Sequence, residues 1–149
     1  MEKYRFWGAA EAEKVTADTG YPGITTPADL YGALRDCWCA ETCAPRMRKD
    51  WSEEDRTLGQ CSVTSFLAQD LFGGEVLGIP LDDGSFHCFN VVNGHAFDLT
   101  SEQFKGIVLE YSGAVQQERR IHFSKEEKKQ RYLLLKKRLH AMCFGGEEQ

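Results

Sequence analysis

The sequence lacks the features that mark membrane-spanning, secreted and disordered proteins. No apolar run approaches the roughly 20 residues that a transmembrane helix needs, and residues 1–7 lack the apolar stretch of a signal peptide. Hydrophobic residues make up 42% of the chain and charged residues 28%, which is far from the composition of a disordered protein. We therefore expect a self-folding cytoplasmic protein that makes no contact with a membrane.

The chain also lacks an internal repeat, and its 149 residues match the usual size of one domain with one sizeable core. Residues 1–26 contain glycines and a proline without a sustained period, so we interpret them as an irregular N-terminal arm with one short ordered piece. The α+β core of this single domain is predicted to span residues 27–142.

The six cysteines lack the two tight pairs that are typical of a zinc site. Cys37, Cys39 and Cys43 could ligate zinc together with Cys88 or a histidine, but packing is the favoured interpretation of these three thiols. In the cytoplasm thiols stay reduced, so disulfides are not expected. We predict no metal and no cofactor.

Positive charge is concentrated near the end of the chain. Residues 118–140 hold nine Lys and Arg residues against three Glu, although the whole chain has a net charge of -5. Because the acidic remainder repels phosphate, only this segment could bind nucleic acid. We interpret it instead as the solvated face of a helix, paired with the acidic body, and nucleic-acid binding is the weaker alternative.

Hydrophobic spacing predicts three helices, with a polar connection over residues 39–59 between the first two. They are about residues 27–38, begun by Thr26 and Pro27; residues 60–72, ended by Gly73-Gly74; and residues 124–142, begun by a capping box from Ser124 to Glu127. Spacing also predicts the buried face of the last helix, which consists of Tyr132, Leu135, Leu139 and Met142.

Short strands separate the last two helices. The predicted strands are Glu75–Leu81, Phe86–Val92 and His95–Leu99, with Ile107–Tyr111 as a further candidate. Asn93-Gly94 joins the second strand to the third and is a strong signal for a type I′ hairpin turn, in which both central residues have positive φ.

Cys61 stands where a helix would activate a thiol. The N-terminus of a helix presents unpaired N–H groups and a partial positive charge, which stabilise a thiolate relative to a thiol. The same N–H groups can hold the oxyanion of a tetrahedral intermediate. Cys61 is therefore a candidate nucleophile, although a lone cysteine on a helix is more often a small core residue.

The hairpin turn predicts a partner for this thiol. A two-residue loop pairs Phe89 with Asp98 and puts His87 on the same face as Asp98, with Cβ atoms about 7 Å apart. We expect that face to pack against the central helix, so that Cys61, His87 and Asp98 meet as nucleophile, base and orienting carboxylate. A longer loop with a bulge would change the register and favour His95, which otherwise falls on the opposite face.

Three segments also resemble a known family. They are residues 59–65 with residues 69–74, then His87-x-x-Asn90, and then Asp98-Leu99-Thr100-x-x-Gln103-Phe104. The chain from about residue 27 to residue 140 looks like the YunG-like family of uncharacterised bacterial proteins, and the arm before residue 27 lies outside the match.

The resemblance implies an α+β fold similar to papain-like, NlpC/P60-like or transglutaminase-like enzymes, in which a Cys-bearing helix packs on an antiparallel sheet bearing His and then Asp. The chain differs from papain-like proteases in one respect. Those enzymes carry an oxyanion glutamine several residues before the cysteine, where this chain has Asp55, whereas Gln60 immediately precedes Cys61. Gln60 is accordingly the candidate oxyanion donor.

These features lead to two main functional hypotheses. The first is a cysteine hydrolase or acyl transferase whose substrate bears an amide, isopeptide or thioester bond. The second is a non-catalytic binding module of papain-like fold, in which Cys61, His87 and Asp98 only stabilise the hairpin and the helix.

Overall fold

The computed structural model describes residues 6–145, which form α-helices and one four-stranded antiparallel sheet. Within this range the α-helices are α1 (Ala9–Ala12), α2 (Pro27–Leu34), α3 (Cys61–Phe72), α4 (Arg119–His122) and α5 (Glu126–Cys143). The sheet is formed by β1 (Glu75–Pro80), β2 (Phe86–Val92), β3 (His95–Phe97) and β4 (Val115–Gln116), in the spatial order β3-β2-β1-β4. Short 3₁₀ helices lie at Ala40–Thr42, Pro45–Asp50, Ser101–Phe104 and Tyr111–Gly113. The predicted α+β class is confirmed.

Helix α2 begins as predicted but ends earlier. The Thr26 hydroxyl accepts from the Asp29 N–H, and the Asp29 carboxylate accepts from the Thr26 N–H. These two hydrogen bonds form a capping box. The helix ends at Leu34 instead of residue 38, because the N–H groups of Asp36 and Cys37 donate three residues back, to the carbonyls of Ala33 and Leu34, in a tighter turn.

Helix α3 lies at the centre of the core. Nine of its twelve residues are buried, and Gly73 ends it with a φ of 77°, in the region that favours glycine. The Asn90 amide on β2 donates to the Ser65 carbonyl of α3 over 2.9 Å. This bond is buried and fixes the helix against the middle of the sheet.

The hairpin between β2 and β3 has the predicted turn and register. Asn93 and Gly94 have φ values of 52° and 81°, and Val92 lies opposite His95. Strand β3 ends at Phe97, two residues before the predicted end, because the carboxylate and the carbonyl of Asp98 accept from the N–H groups of Thr100 and Ser101 and turn the chain.

The candidate strand at Ile107–Tyr111 does not form. Lys105 and Gly106 both have positive φ, and they turn the chain out of the sheet after the preceding 3₁₀ helix. Ile107 and Val108 are 69% and 71% exposed as a result. The edge of β1 pairs instead with Val115–Gln116.

The last helix also begins differently from the prediction. The Ser124 hydroxyl donates to the Ile121 carbonyl over 2.6 Å, so the predicted capping box is absent and α5 starts at Glu126. The reason is helix α4, which the sequence did not predict. Its Ile121 carbonyl accepts from the serine hydroxyl, which is therefore not available to cap α5. Three of the four predicted apolar residues of α5 are buried, and Met142 is 42% exposed.

The arm that precedes α2 contributes to the core. Its described part, residues 6–26, buries four apolar side chains that pack with those of α2, α3 and α5: Phe6, Ala12, Val15 and Ile24. The predicted short ordered piece is α1, and residues 1–5 of the arm lie outside the described range.

Several cations of the basic segment are bound within the fold. Arg138 donates to the Cys37 carbonyl over 2.6 Å, and Arg119 pairs with Asp70 over 2.6 Å. Burial and the charge of Lys128 lower the pKa of His122 to about 4, so its neutral ring accepts from Lys128 over 2.8 Å. None of the helices described in residues 6–145 is long and apolar enough to cross a membrane.

Helix α5 should stabilise the fold through its buried face. Leu135 is fully buried whereas Leu133, two residues away, is 41% exposed. We predict that Leu135→Ala lowers the free energy of unfolding by about 2–5 kcal/mol, because it leaves a cavity in the core. Leu133→Ala is the matched control and should change it by less than about 0.5 kcal/mol. Equal effects of both variants in urea unfolding would contradict this packing.

Candidate active site

Cys61 is the first residue of α3. Gln60 precedes the helix, and in the described structure no side chain caps this end. The first N–H groups of the helix therefore remain available to a negative charge, which is the arrangement that lowers the pKa of a cysteine.

Strand β3 leaves part of the edge of β2 uncovered. The hairpin turn makes Val92 and His95 a hydrogen-bonded pair, so the N–H and C=O groups of every second residue back along β2 point toward β3. Because β3 ends at Phe97, the corresponding groups of Phe86 and Cys88 lie beyond its end.

The Cys61 thiol occupies this uncovered edge. Its sulfur lies 3.9 Å from the Phe86 carbonyl oxygen and accepts from the Cys88 backbone N–H. A group at the edge of a strand can contact side chains from both faces of the sheet. The side chains of Cys88 and His87, on opposite faces, accordingly both act on the Cys61 thiol and lower its pKa.

His87 and Asp98 form a buried pair. Nε2 of His87 lies 2.7 Å from Oδ2 of Asp98, and the two residues are 1% and 0% exposed. With Nε2–H donating to the carboxylate, Nδ1 is the ring nitrogen left for the Cys61 sulfur. His87 is thus joined to Asp98 by a hydrogen bond, and its interaction with Cys61 helps to raise the pKa of the ring.

The face of the sheet that carries His87 differs from the prediction. Asn90 contacts α3, so alternation turns His87 and Phe89 to the face away from that helix. The His87 ring packs there against Phe104, with centroids 4.7 Å apart. His87 still reaches Cys61, because the thiol lies at the edge of the strand and not above one face.

Asp98 has further partners that the sequence did not indicate. The Tyr111 hydroxyl donates to Oδ2 over 2.6 Å, and the Thr100 N–H donates to Oδ1 over 3.2 Å. Trp7 stacks on the Tyr111 ring with centroids 3.7 Å apart, and its carbonyl holds the Asp98 N–H. Neither aromatic residue is near Asp98 in the sequence, so only the folded topology reveals their role.

The electrostatics favour a thiolate beside an imidazolium. Burial lowers the pKa of His87, but hydrogen bonds to Asp98 and to Cys61 outweigh it and raise this pKa to about 10. The hydrogen bond from the Cys88 thiol and those from His87 hold the pKa of Cys61 well below its ordinary value, although burial acts against them. Burial and the Asp98 charge raise the pKa of Tyr111, which therefore stays a hydrogen-bond donor.

The other predicted histidine and Gln60 lie elsewhere. His95 is half-buried and pairs through Nδ1 with Glu11 over 2.7 Å, apart from the thiol. The Gln60 side chain is fully buried, and its amide donates to the Cys39 carbonyl over 3.1 Å. This contact binds the Gln60 amide to the loop that precedes α3.

The remaining cysteines do not assemble a metal site in the described part of the chain. Cys37 and Cys43 are buried and Cys39 is half-buried. Across residues 6–145, no three His, Cys, Asp or Glu side chains form a group that could hold a metal ion.

Comparison with known proteins identifies the family. The family model described as "YunG protein" matches residues 26–143. The chain belongs to the YunG protein family. Over 55 residues it is 46% identical to "Uncharacterized protein YunG" of Bacillus subtilis (strain 168), an alignment that covers 37% of this chain and 47% of that protein. The alignment thus spans about half of the relative's length. No solved structure matches the chain significantly.

The contact between Tyr111 and Asp98 should stabilise this YunG family member. Tyr111→Phe keeps the stacking on Trp7 but leaves a buried carboxylate oxygen with one donor fewer. We predict a loss of about 1–3 kcal/mol in the free energy of unfolding at neutral pH. Tyr21→Phe is the control, since the Tyr21 ring packs near the surface against His140 and Phe144. If Tyr111→Phe is no more destabilising than the control, the hydroxyl does not support Asp98.

The pH dependence of alkylation should report the charge pair. In the wild-type chain, iodoacetamide should modify Cys61 with a midpoint well below the pKa of an ordinary thiol. His87→Ala removes the imidazolium, so the midpoint should rise, while the Cys88 hydrogen bond keeps it below that of a free thiol. Asp98→Asn should give a smaller rise, because its effect passes through the ring.

The matched control for alkylation is His95→Ala, which should leave the midpoint unchanged because His95 pairs with Glu11. Peptide mapping of the alkylated cysteines separates Cys61 from the other five thiols. A wild-type midpoint equal to that of an ordinary thiol would contradict the charge pair.

Proposed function

We propose that this protein is a cysteine hydrolase or acyl transferase that acts on amide, isopeptide or thioester bonds through a covalent acyl-enzyme on Cys61. The observation that carries the proposal is the buried hydrogen bond over 2.7 Å between His87 and Asp98, in a ring whose interaction with Cys61 helps to raise its pKa. Nucleophile, base and orienting group are the three parts that covalent acyl transfer needs.

Acylation begins with the thiolate. The Cys61 sulfur attacks the carbonyl carbon of the substrate, and the oxygen takes up the negative charge beside the N–H groups at the start of α3. The imidazolium of His87 then gives its Nδ1 proton to the leaving nitrogen or sulfur. The bond to the leaving group breaks, and a thioester on Cys61 remains.

Deacylation runs in the opposite direction. Neutral His87 takes a proton from water or from an acceptor amine, which attacks the thioester carbonyl. The tetrahedral intermediate collapses, the Cys61 thiolate leaves, and His87 is again an imidazolium. Asp98 holds the ring in one tautomer and one orientation throughout both steps.

The proposal includes a papain-like core. Support comes from the chain order of Cys61, His87 and Asp98 and from a helix that presents its N-terminal cysteine to an antiparallel sheet. This chain departs from that pattern at Gln60, whose amide is bound to Cys39, and at the strand-edge position of the thiol.

A second candidate function, the binding module, is supported by a cavity of about 540 Å³. The described residues that line it include several aromatic side chains, such as Trp7, Trp38 and Tyr111, but not Cys61, His87 or Asp98. A cavity of this size falls in the range of small-ligand sites. Ligand binding there would need no chemistry at the thiol.

Capture of the acyl-enzyme distinguishes the two functions. The full chain is mixed with an acetyl thioester of a small thiol, and intact mass with peptide mapping follows acetylation of each cysteine. We predict rapid acetylation of Cys61, slower by about 10²–10⁴-fold in His87→Ala. Cys39 and Cys143, which are also half-buried, are the internal controls. If Cys61 is acetylated no faster than these two thiols, the binding module replaces the enzyme.

A further inference from the structure

The proposed reaction leaves one buried thiol without a role. Cys88 is 1% exposed and lies two residues after Phe86, whose carbonyl oxygen is 3.9 Å from the Cys61 sulfur. Both residues are free thiols. Acyl transfer needs only the Cys61 sulfur, so a second buried thiol beside it calls for another explanation.

The fold fixes the segments that carry the two thiols against each other. The bond from Asn90 to the Ser65 carbonyl fixes β2 against α3 one helical turn beyond Cys61 and two residues beyond Cys88. The Cys61 sulfur also accepts from the Cys88 N–H at the edge of the strand. Buried backbone thus holds the two thiols on adjoining segments, which a disulfide between them requires.

The two thiols differ in access and in acidity. Cys61 is half-buried and meets solvent, whereas Cys88 lies behind it. The pKa of Cys61 is lowered, while its negative charge and burial raise the pKa of Cys88 well above the ordinary value. An incoming oxidant therefore meets a thiolate at Cys61 and leaves a protonated thiol beside it, which is the arrangement of a reactive and a resolving cysteine.

We propose that Cys61 and Cys88 are a modification site at which a hydroperoxide produces a reversible intramolecular disulfide. The bond itself does not depend on the proposed acyl transfer. Its consequence, that oxidation blocks the acyl site while protecting Cys61 from irreversible oxidation, does rest on the proposed function.

The reaction proceeds in two balanced steps. The Cys61 thiolate attacks an oxygen of the hydroperoxide, the O–O bond breaks, and a proton from the His87 imidazolium turns the released alkoxide into an alcohol. The Cys61 sulfur has lost two electrons and is a sulfenic acid. The Cys88 sulfur then attacks it, the S–O bond breaks, and the hydroxyl leaves as water with the Cys88 proton. A dithiol reductant restores both thiols.

The test treats the reduced full chain with hydrogen peroxide and maps its peptides without reduction. We predict a linked pair of peptides that contain Cys61 and Cys88, two hydrogens lighter than the free pair and separated again by dithiothreitol. Wild-type protein in which peroxide converts Cys61 to a sulfinic acid, with no link to Cys88, would overturn the proposal.

Two variants show whether the link depends on Cys88. In Cys88→Ser the sulfenic acid on Cys61 should persist, react with dimedone and progress to the sulfinic acid. Cys143→Ser removes a half-buried thiol of α5 and should form the Cys61–Cys88 link as the wild type does. If Cys88→Ser fails to fold, the peptide map of the oxidised wild type still tests the proposal. A link without acetylation of Cys61 by the thioester would refute acyl transfer alone, and acetylation without a link would refute this inference alone.

Discussion

The buried hydrogen bond between His87 and Asp98 is the contact on which the rest of the site depends. A carboxylate that is fully buried is tolerated only when donors surround it, and Asp98 accepts from His87, Tyr111 and Thr100. Removing one partner of such a pair costs about 3–5 kcal/mol, because the other charge stays buried. The same bond directs the imidazole toward Cys61, so stability and reactivity have a common origin.

A second constraint is the early end of β3. If the strand continued past Phe97, its backbone would take the N–H and C=O groups that now face the Cys61 sulfur. The chain leaves the sheet because the carboxylate and the carbonyl of Asp98 accept from the N–H groups of Thr100 and Ser101. The N-terminal arm contacts the site twice, since the Trp7 carbonyl accepts from the Asp98 N–H and the Trp7 indole covers Tyr111.

Local signals in the sequence were sufficient for the elements of the site. Asn93-Gly94 predicted the hairpin register, which places His87 beside Asp98, and the spacing around Cys61 predicted α3. The predicted face of His87 was wrong, because the hairpin packs on α3 through the face that carries Asn90. The strand-edge contact of Cys61 could not be anticipated, because it depends on where β3 ends.

The features that were missed or predicted wrongly have a common physical cause. The supports from Trp7 and Tyr111 join residues that are distant in sequence, and no periodicity encodes such pairs. The capping box at Ser124 failed because a neighbouring helix competes for the same hydroxyl. Local propensity is overridden wherever tertiary contacts offer the same group a different partner.

Whether Cys61 is a thiolate at neutral pH can be measured from its ultraviolet absorbance. The thiolate band is titrated in the wild type and in Cys61→Ser, and the difference isolates Cys61. Burial raises the pKa values of Cys37, Cys43 and Cys143, so these thiols stay protonated near neutrality. We expect a difference band that is already present at pH 7 and is lost only on acidification. A band that appears only near the pKa of a free thiol, about 8.5, would contradict it.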